Sequence, residues 1–216
     1  MFNVPRTLPR LACVILAAGV IAAPALAGEF VFVPERAAEG LESKPGRFDT
    51  LLVHPETDLR AYSQVAIRSV RVKPRDRDFA RRLSSQDRRV LTRDFRKQFA
   101  DGLGDRLAKN GGEGTLVLSA AITHAWPNRD ITGRWLRSRG GSPASSSTTT
   151  GVGSASFEAV LRDARTGDIV AVIADRHSGQ SFTSNINVNT RWGDAREGFR
   201  RWGRNLGREL GGRTAS

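Results

Sequence analysis

The chain has 216 residues, room for one ordinary domain with tails, and its 34 Lys and Arg outnumber 22 Asp and Glu for a net charge of +12. A single cysteine, Cys13, excludes an internal disulfide framework and a thiolate metal site. The histidines, His54, His124 and His177, form no H-x-x-x-H pair, and no G-x-S-x-G, P-loop or dinucleotide fingerprint occurs, so no metal and no cofactor are expected.

The first element is a targeting segment. Arg6 and Arg10 precede an apolar run that begins at Leu11 and ends in Ala25-Leu26-Ala27, an A-x-A cleavage pattern. The run is near the roughly 17–25 residues of a membrane span, but Pro24 and the small-residue exit favour cleavage before Gly28. Residues 1–27 are thus expected to be a signal peptide and the protein periplasmic, with outer-membrane association left open. Cys13 comes too early, with Arg10 three positions upstream, to be a lipidation cysteine.

Residues 28–216 read as a single domain. "EFVFVP" (29–34) is a short strand or a plain chain end. "TLLVHP" (50–55) is apolar and β-branched and stops at Pro55; residues 62–74 give a clearer strand, ended by Pro74. A long helix follows. Ser84 or Ser85 is its N-cap, and Asp87 stands in capping-box position. Leu91, Phe95, Phe99, Leu103 and Leu107 recur every four residues and cover about 160° of one face. The left-handed stop is expected at Asn110–Gly112. Residues 115–126 place Leu116, Leu118, Ala120 and Ile122 on one face, and the other face is also fairly apolar, as in a central strand.

Composition then shifts. Residues 137–153 are rich in Gly, Ser and Thr and read as a flexible loop. Two strands come next. One alternates Phe157, Ala159 and Leu161 against Ser156, Glu158 and Arg162; the other alternates Ile169, Ala171 and Ile173 against Val170, Val172 and Ala174. Between them, "DARTGD" carries enough acid to suggest chemistry, but its residues suit a hairpin turn. Asp163 and Thr166 can accept from nearby amides, and Gly167 supplies positive φ. In the terminal helix Trp192, Ala195, Phe199, Trp202, Leu206 and Leu210 share one face beside a stripe of Arg196, Arg200, Arg204 and Arg208. The expected fold is α+β with two layers: a mainly antiparallel sheet of about four strands, and two long helices on one face. The crossover through the first helix should create one parallel strand neighbour.

The sharpest feature is charge, with twelve cations and four acids between Arg68 and Lys97. Arg89, Arg93 and Lys97 of the first helix, and Arg200, Arg204 and Arg208 of the second, are candidate contacts to an anionic surface. Read conservatively, they are solvated faces with internal ion pairs. Aromatics are not interleaved with these arginines, so nucleic acid is not an expected partner. The expected partner is an envelope protein or an anionic envelope surface, with peripheral membrane contact and the oligomeric state left open. The alternative is a periplasmic hydrolase using His177 with Asp163 or Asp175.

Three segments carry a resemblance: "TLLVHPETDLRAYSQVAIRSVRV", "FEAVLRDARTGDIVAVIADRHSG" and "WGDAREGFRRWGRNLGREL". Together they resemble the bacterial uncharacterised-domain family numbered 3313. The resemblance implies a small exported envelope protein of one α+β domain, in many cases lipid-anchored. It implies no catalytic residue. The lack of a lipidation cysteine departs from that pattern.

Overall fold

The computed structural model describes residues 30–128, 153–179 and 191–211. The expected signal peptide (1–27) and all of the expected flexible loop but Gly153 lie outside the described residues. The architecture is α+β, with a mixed, mainly antiparallel sheet and two substantial helices. Among the described residues the sheet has six strands where about four were expected. In chain order they are β1 (Glu42–Ser43), β2 (Thr50–Val53), β3 (Gln64–Val72), β4 (Thr115–Trp126), β5 (Ser154–Asp163) and β6 (Ile169–Ser178). In space they run β1-β2-β6-β5-β4-β3. The two-residue β1 carries no periodicity that a sequence could show. The short β2 gains its partner from β6, more than 110 residues on, with Leu51 opposite Ile173.

Helix α1 (Glu35–Ala38) is one turn; α2 (Arg77–Arg82), α3 (Ser85–Leu103) and α4 (Gly193–Glu209) follow. Residues 30–34, a candidate strand, form none. The crossover from β3 through α2 and α3 returns to β4, and these two strands pair in parallel, as the long connection requires. Ser84 caps α3, and the reciprocal capping box with Asp87 is complete. The helix stops earlier than expected, at Gly104 with φ 57°, so Leu107 falls outside it and is exposed. A 3-10 turn over Gly104–Arg106 interrupts the four-residue spacing before Leu107.

The main core lies between the sheet and the helix layer. Phe95, Phe99, Phe157, Phe199 and Trp202 are all buried there, with the rings of Phe157 and Trp202 stacked at 4.3 Å. All six stripe residues of α4, from Trp192 to Leu210, belong to this core. The helices α3 and α4 touch through Gly102 and Gly203. A Cβ on Gly203 would press on the Phe99 carbonyl oxygen and come within 3.1 Å of the Gly102 Cα. This glycine therefore serves a helix–helix approach. Gly198 makes the closer approach to the sheet, against the His177 ring.

The opposite face is covered as well, which a two-layer expectation omits. Val33, Ala37 and Leu41 pack there on Leu52, Val160 and Val172. Glu158 holds this cover in place. Its Oε2 accepts the Phe32 N–H at 2.7 Å and the Val31 N–H at 2.9 Å, and its Oε1 meets Arg75 at 3.1 Å. The carboxylate is 1% exposed, and paired hydrogen bonds are the condition for burying such a group.

Candidate functional site

The two long helices meet along a line of polar partners. Asp87, Asp94 and Gln98 lie on one side of α3 and are buried. Arg191 reaches Asp87 at 3.2 Å, Arg196 reaches Asp94 at 2.7 Å, and the Arg200 Nε donates to Gln98 at 3.1 Å. Partners advance together along both helices, so α3 and α4 run parallel. Asp87 joins their starts: it accepts from the Ser84 amide and hydroxyl, from Arg191 and from the Trp192 indole. Burial opposes its ionisation, but these donors outweigh burial and hold the carboxyl below the usual range.

This arrangement fixes where the candidate surface cations go. Arg89 bonds the Gln86 side chain at 2.9 Å, Arg93 pairs with Asp94 at 3.1 Å, and Lys97 pairs with Asp101 at 3.2 Å. Arg204 pairs with Glu197 at 3.0 Å, and Arg208 is exposed. Arg200 belongs to the interhelical line, bonded to Gln98 and 3.7 Å from Glu197. Parallel packing brings all six into one helix layer, and five of them already have a partner.

The acid-rich turn is occupied by its own backbone. Asp163 Oδ1 accepts the N–H groups of Arg165 (2.7 Å) and Thr166 (2.9 Å), and its Oδ2 accepts the Tyr62 hydroxyl at 3.0 Å. The Thr166 amide, then that of Arg165 and the Tyr62 hydroxyl, hold this carboxyl below its usual range. Gly167 has φ 80° with open space where a Cβ would stand. Asp163 and His177 are not brought together. Asp175 lies opposite Phe157, six residues up β5 from Asp163, or about 20 Å away. His177 sits beneath α4 at Gly198, and its Nδ1 has no hydrogen-bond partner among the described residues. Burial, then the neighbouring Arg201 cation, lower its pKa to about 4.

A different set of polar groups converges on the covered face. A cavity of about 430 Å³ opens beside Phe30. Asp49, Thr50, Asp175 and Arg176 line its β2–β6 side; Arg75, Asp76, Thr123 and His124 line the other, with Ser156 and Glu158 between them. A bulge between Ile122 and His124 sets His124 opposite Ser156, which puts both on the cavity face. His124 Nδ1 lies 3.3 Å from Asp76 Oδ2, while Asp76 Oδ1 caps α2 by accepting the Phe79 N–H at 2.6 Å. The imidazole also stands 5.3 Å from the Phe79 ring. Serine, histidine and aspartate are therefore neighbours here. Among the described residues no hydrogen bond links Ser156 to His124, so the nucleophile–base contact of a hydrolase is not assembled.

Sequence reasoning missed this cavity because its walls come from six separate stretches. One signal was available. Glu158 shares its strand face with apolar Val160 and lies between Phe157 and Ala159, a poor match for a solvated face.

A second convergence lies at the start of α4. Asp194 accepts the Gly153 N–H at 2.7 Å, and Gly153 in turn accepts the Gly179 N–H at 2.8 Å. The Asp194 amide faces Asn128 Oδ1 at 3.4 Å. Four chain positions thus meet at one buried carboxyl in the first turn of a helix, where the dipole favours a negative charge. Burial nevertheless raises its pKa.

With these arrangements in view, residues 38–206 match the family model described as "Protein of unknown function (DUF3313)". The chain belongs to this family. No curated protein matches it. The DUF3313 chain is similar to the solved PelC dodecamer from Paraburkholderia phytofirmans at 10% identity, over 80% of this chain and 98% of that one, with a TM-score of 0.36. It is similar to a minor lipoprotein from Acinetobacter baumannii at 13% identity, over 68% and 91% of the two chains, with a TM-score of 0.29. A putative lipoprotein from Caulobacter crescentus gives 14% identity, 70% and 85% coverage, and a TM-score of 0.28.

Proposed function

We propose that this protein is a non-catalytic module of the bacterial cell envelope that adsorbs to an anionic envelope surface through its helix layer. The exported location rests on Arg6, Arg10 and the Ala25-Leu26-Ala27 pattern. The observation that carries the surface reading is the parallel contact of α3 with α4, which gathers Arg89, Arg93, Lys97, Arg200, Arg204 and Arg208 into one layer. Each basic side chain near an anionic bilayer gains about 1 kcal/mol, fading beyond a Debye length of about 8 Å at physiological salt. Side chains paired at the surface exchange partners at little cost, because exposed ion pairs contribute about 0–1 kcal/mol.

Vesicle co-sedimentation tests this reading. The protein should bind vesicles with anionic lipid, more strongly at low salt, and neutral vesicles hardly at all. The triple reversal Arg89→Glu, Lys97→Glu, Arg208→Glu should remove most of the binding. It spares Arg200, which holds the helices together. Equal binding to neutral and anionic vesicles, or full binding by the triple variant, overturns the proposal.

A further inference from the structure

The chain that leads into β2 is fixed by several ties. Phe48 is buried with its ring 6.2 Å from that of Phe157. The Arg47 amide donates to Glu209 at 2.9 Å, and the Asn205 side chain donates to the Arg47 carbonyl at 2.9 Å. The remaining tie is between acids. The Arg176 N–H points at both Asp49 Oδ2 (3.0 Å) and Asp175 Oδ1 (2.7 Å). The two carboxyls therefore converge on one donor. Two ionised carboxylates held this close repel, which favours a proton on one of them. Arg201 forms a long ion pair with Asp175 at 3.7 Å and also donates to the Arg176 carbonyl at 3.1 Å. Both acids line the cavity, and the Asp175 side chain is 4% exposed.

We propose that Asp49 and Asp175 hold one proton between them as a pH-operated latch, which closes the residue 46–50 connection onto β6 and frees it when the proton leaves. The latch would set how far the β2–β6 wall of the cavity opens. The groups facing it are Arg176 and His177 from β6, and Arg201 and Glu197 from α4. Across the cavity stand Arg75, Asp76, His124 and Glu158. Burial first, then the Asp49 charge, pushes the Asp175 carboxyl up to about 7. An unfolded aspartate loses its proton near pH 4. The folded protein therefore keeps a proton that the unfolded chain has released. This contribution to stability is complete below about pH 4 and is lost as pH rises through about 7. His177 works in the other direction. With its pKa at about 4 against about 6.5 unfolded, its contribution is complete above about 6.5 and lost as pH falls through about 4. Opening on the alkaline side therefore belongs to the acid pair.

Hydrogen exchange at the Thr50 and Arg176 amides, corrected for intrinsic rate, reads the latch directly. Protection in the wild type should fall by about tenfold or more between pH 5.5 and pH 8.5, the scale that one pKa unit sets. Asp49→Asn and Asp175→Asn each keep a hydrogen bond without a shared proton, and should stay protected at both pH values. A carboxyl carbon titration of Asp175 by NMR, which needs no variant, should give a midpoint near neutrality. Unchanged wild-type protection, an undiminished loss in Asp175→Asn, or an Asp175 midpoint below pH 5 overturns the proposal.

Discussion

On one side of β5, Phe157, Ala159 and Leu161 enter an aromatic core closed by two helices. On the other side of the same strand, Glu158 holds three successive residues of the N-terminal segment by their amides, and Val160 joins a far smaller apolar cluster. The helix side is specified by local periodicity, and its stability comes from buried apolar area, which is roughly additive and non-directional. The other side depends on one buried charge whose amide partners are more than 120 residues away. A face held by directional bonds can open without unfolding the other. It is also the face that bears the cavity.

The largest effect should come from the helix side. Gly203→Val would force a side chain between backbone atoms of α3 and α4, and neither backbone can swing aside. Overpacking typically costs about 1–3 kcal/mol, and with no flexible neighbour to yield we expect about 3. Chemical denaturation should show a single transition at much lower denaturant. A wild-type midpoint would mean that the helices do not touch there.

A smaller and more local effect separates the two faces. Glu158→Gln keeps the shape but removes the charge that gathers the three amides and Arg75. Hydrogen bonds to charged groups contribute about 1.5–3 kcal/mol, so we expect a loss of about 2. Limited proteolysis should then cut residues 30–41 faster while the fluorescence of buried Trp202 stays native. If both faces melt together, the comparison between them fails.

The smallest effect concerns the hairpin. Gly167→Val places a β-branched residue at positive φ, at a cost of about 1 kcal/mol. Asp163→Asn, which can still accept from the turn amides, should change the melting temperature less. Thermal melts of both variants decide; a larger loss in Asp163→Asn would mean that the carboxylate, through Tyr62, matters more than the turn conformation.

The stripe from Trp192 to Leu210 and the capping box at Ser84 were legible because each is set by spacing along one helix. The Asp163–Gly167 turn was legible for the same reason: its local bonds span two to five residues. Nothing in the local spacing marked Asp94 and Gln98 as buried. Only the presence of α4 makes them buried acceptors for Arg196 and Arg200. Asp49 carried no signal at all, since its meaning lies in Asp175, 126 positions on.

The sequence by itself determined the helix faces, the longer strands, the parallel crossover, the basic charge and the family. The helix faces, the strands and the crossover follow from local sterics and from the period at which apolar residues recur, the charge from composition, and the family from the likeness of whole segments. Tertiary structure alone decided the six-strand order, the second covered face, the line of arginine partners between the helices and the meeting of Asp49 with Asp175. Each of these depends on the distance between charged or polar groups far apart in the chain, and Coulomb and hydrogen-bond energies depend on that distance and on burial, which no local pattern encodes.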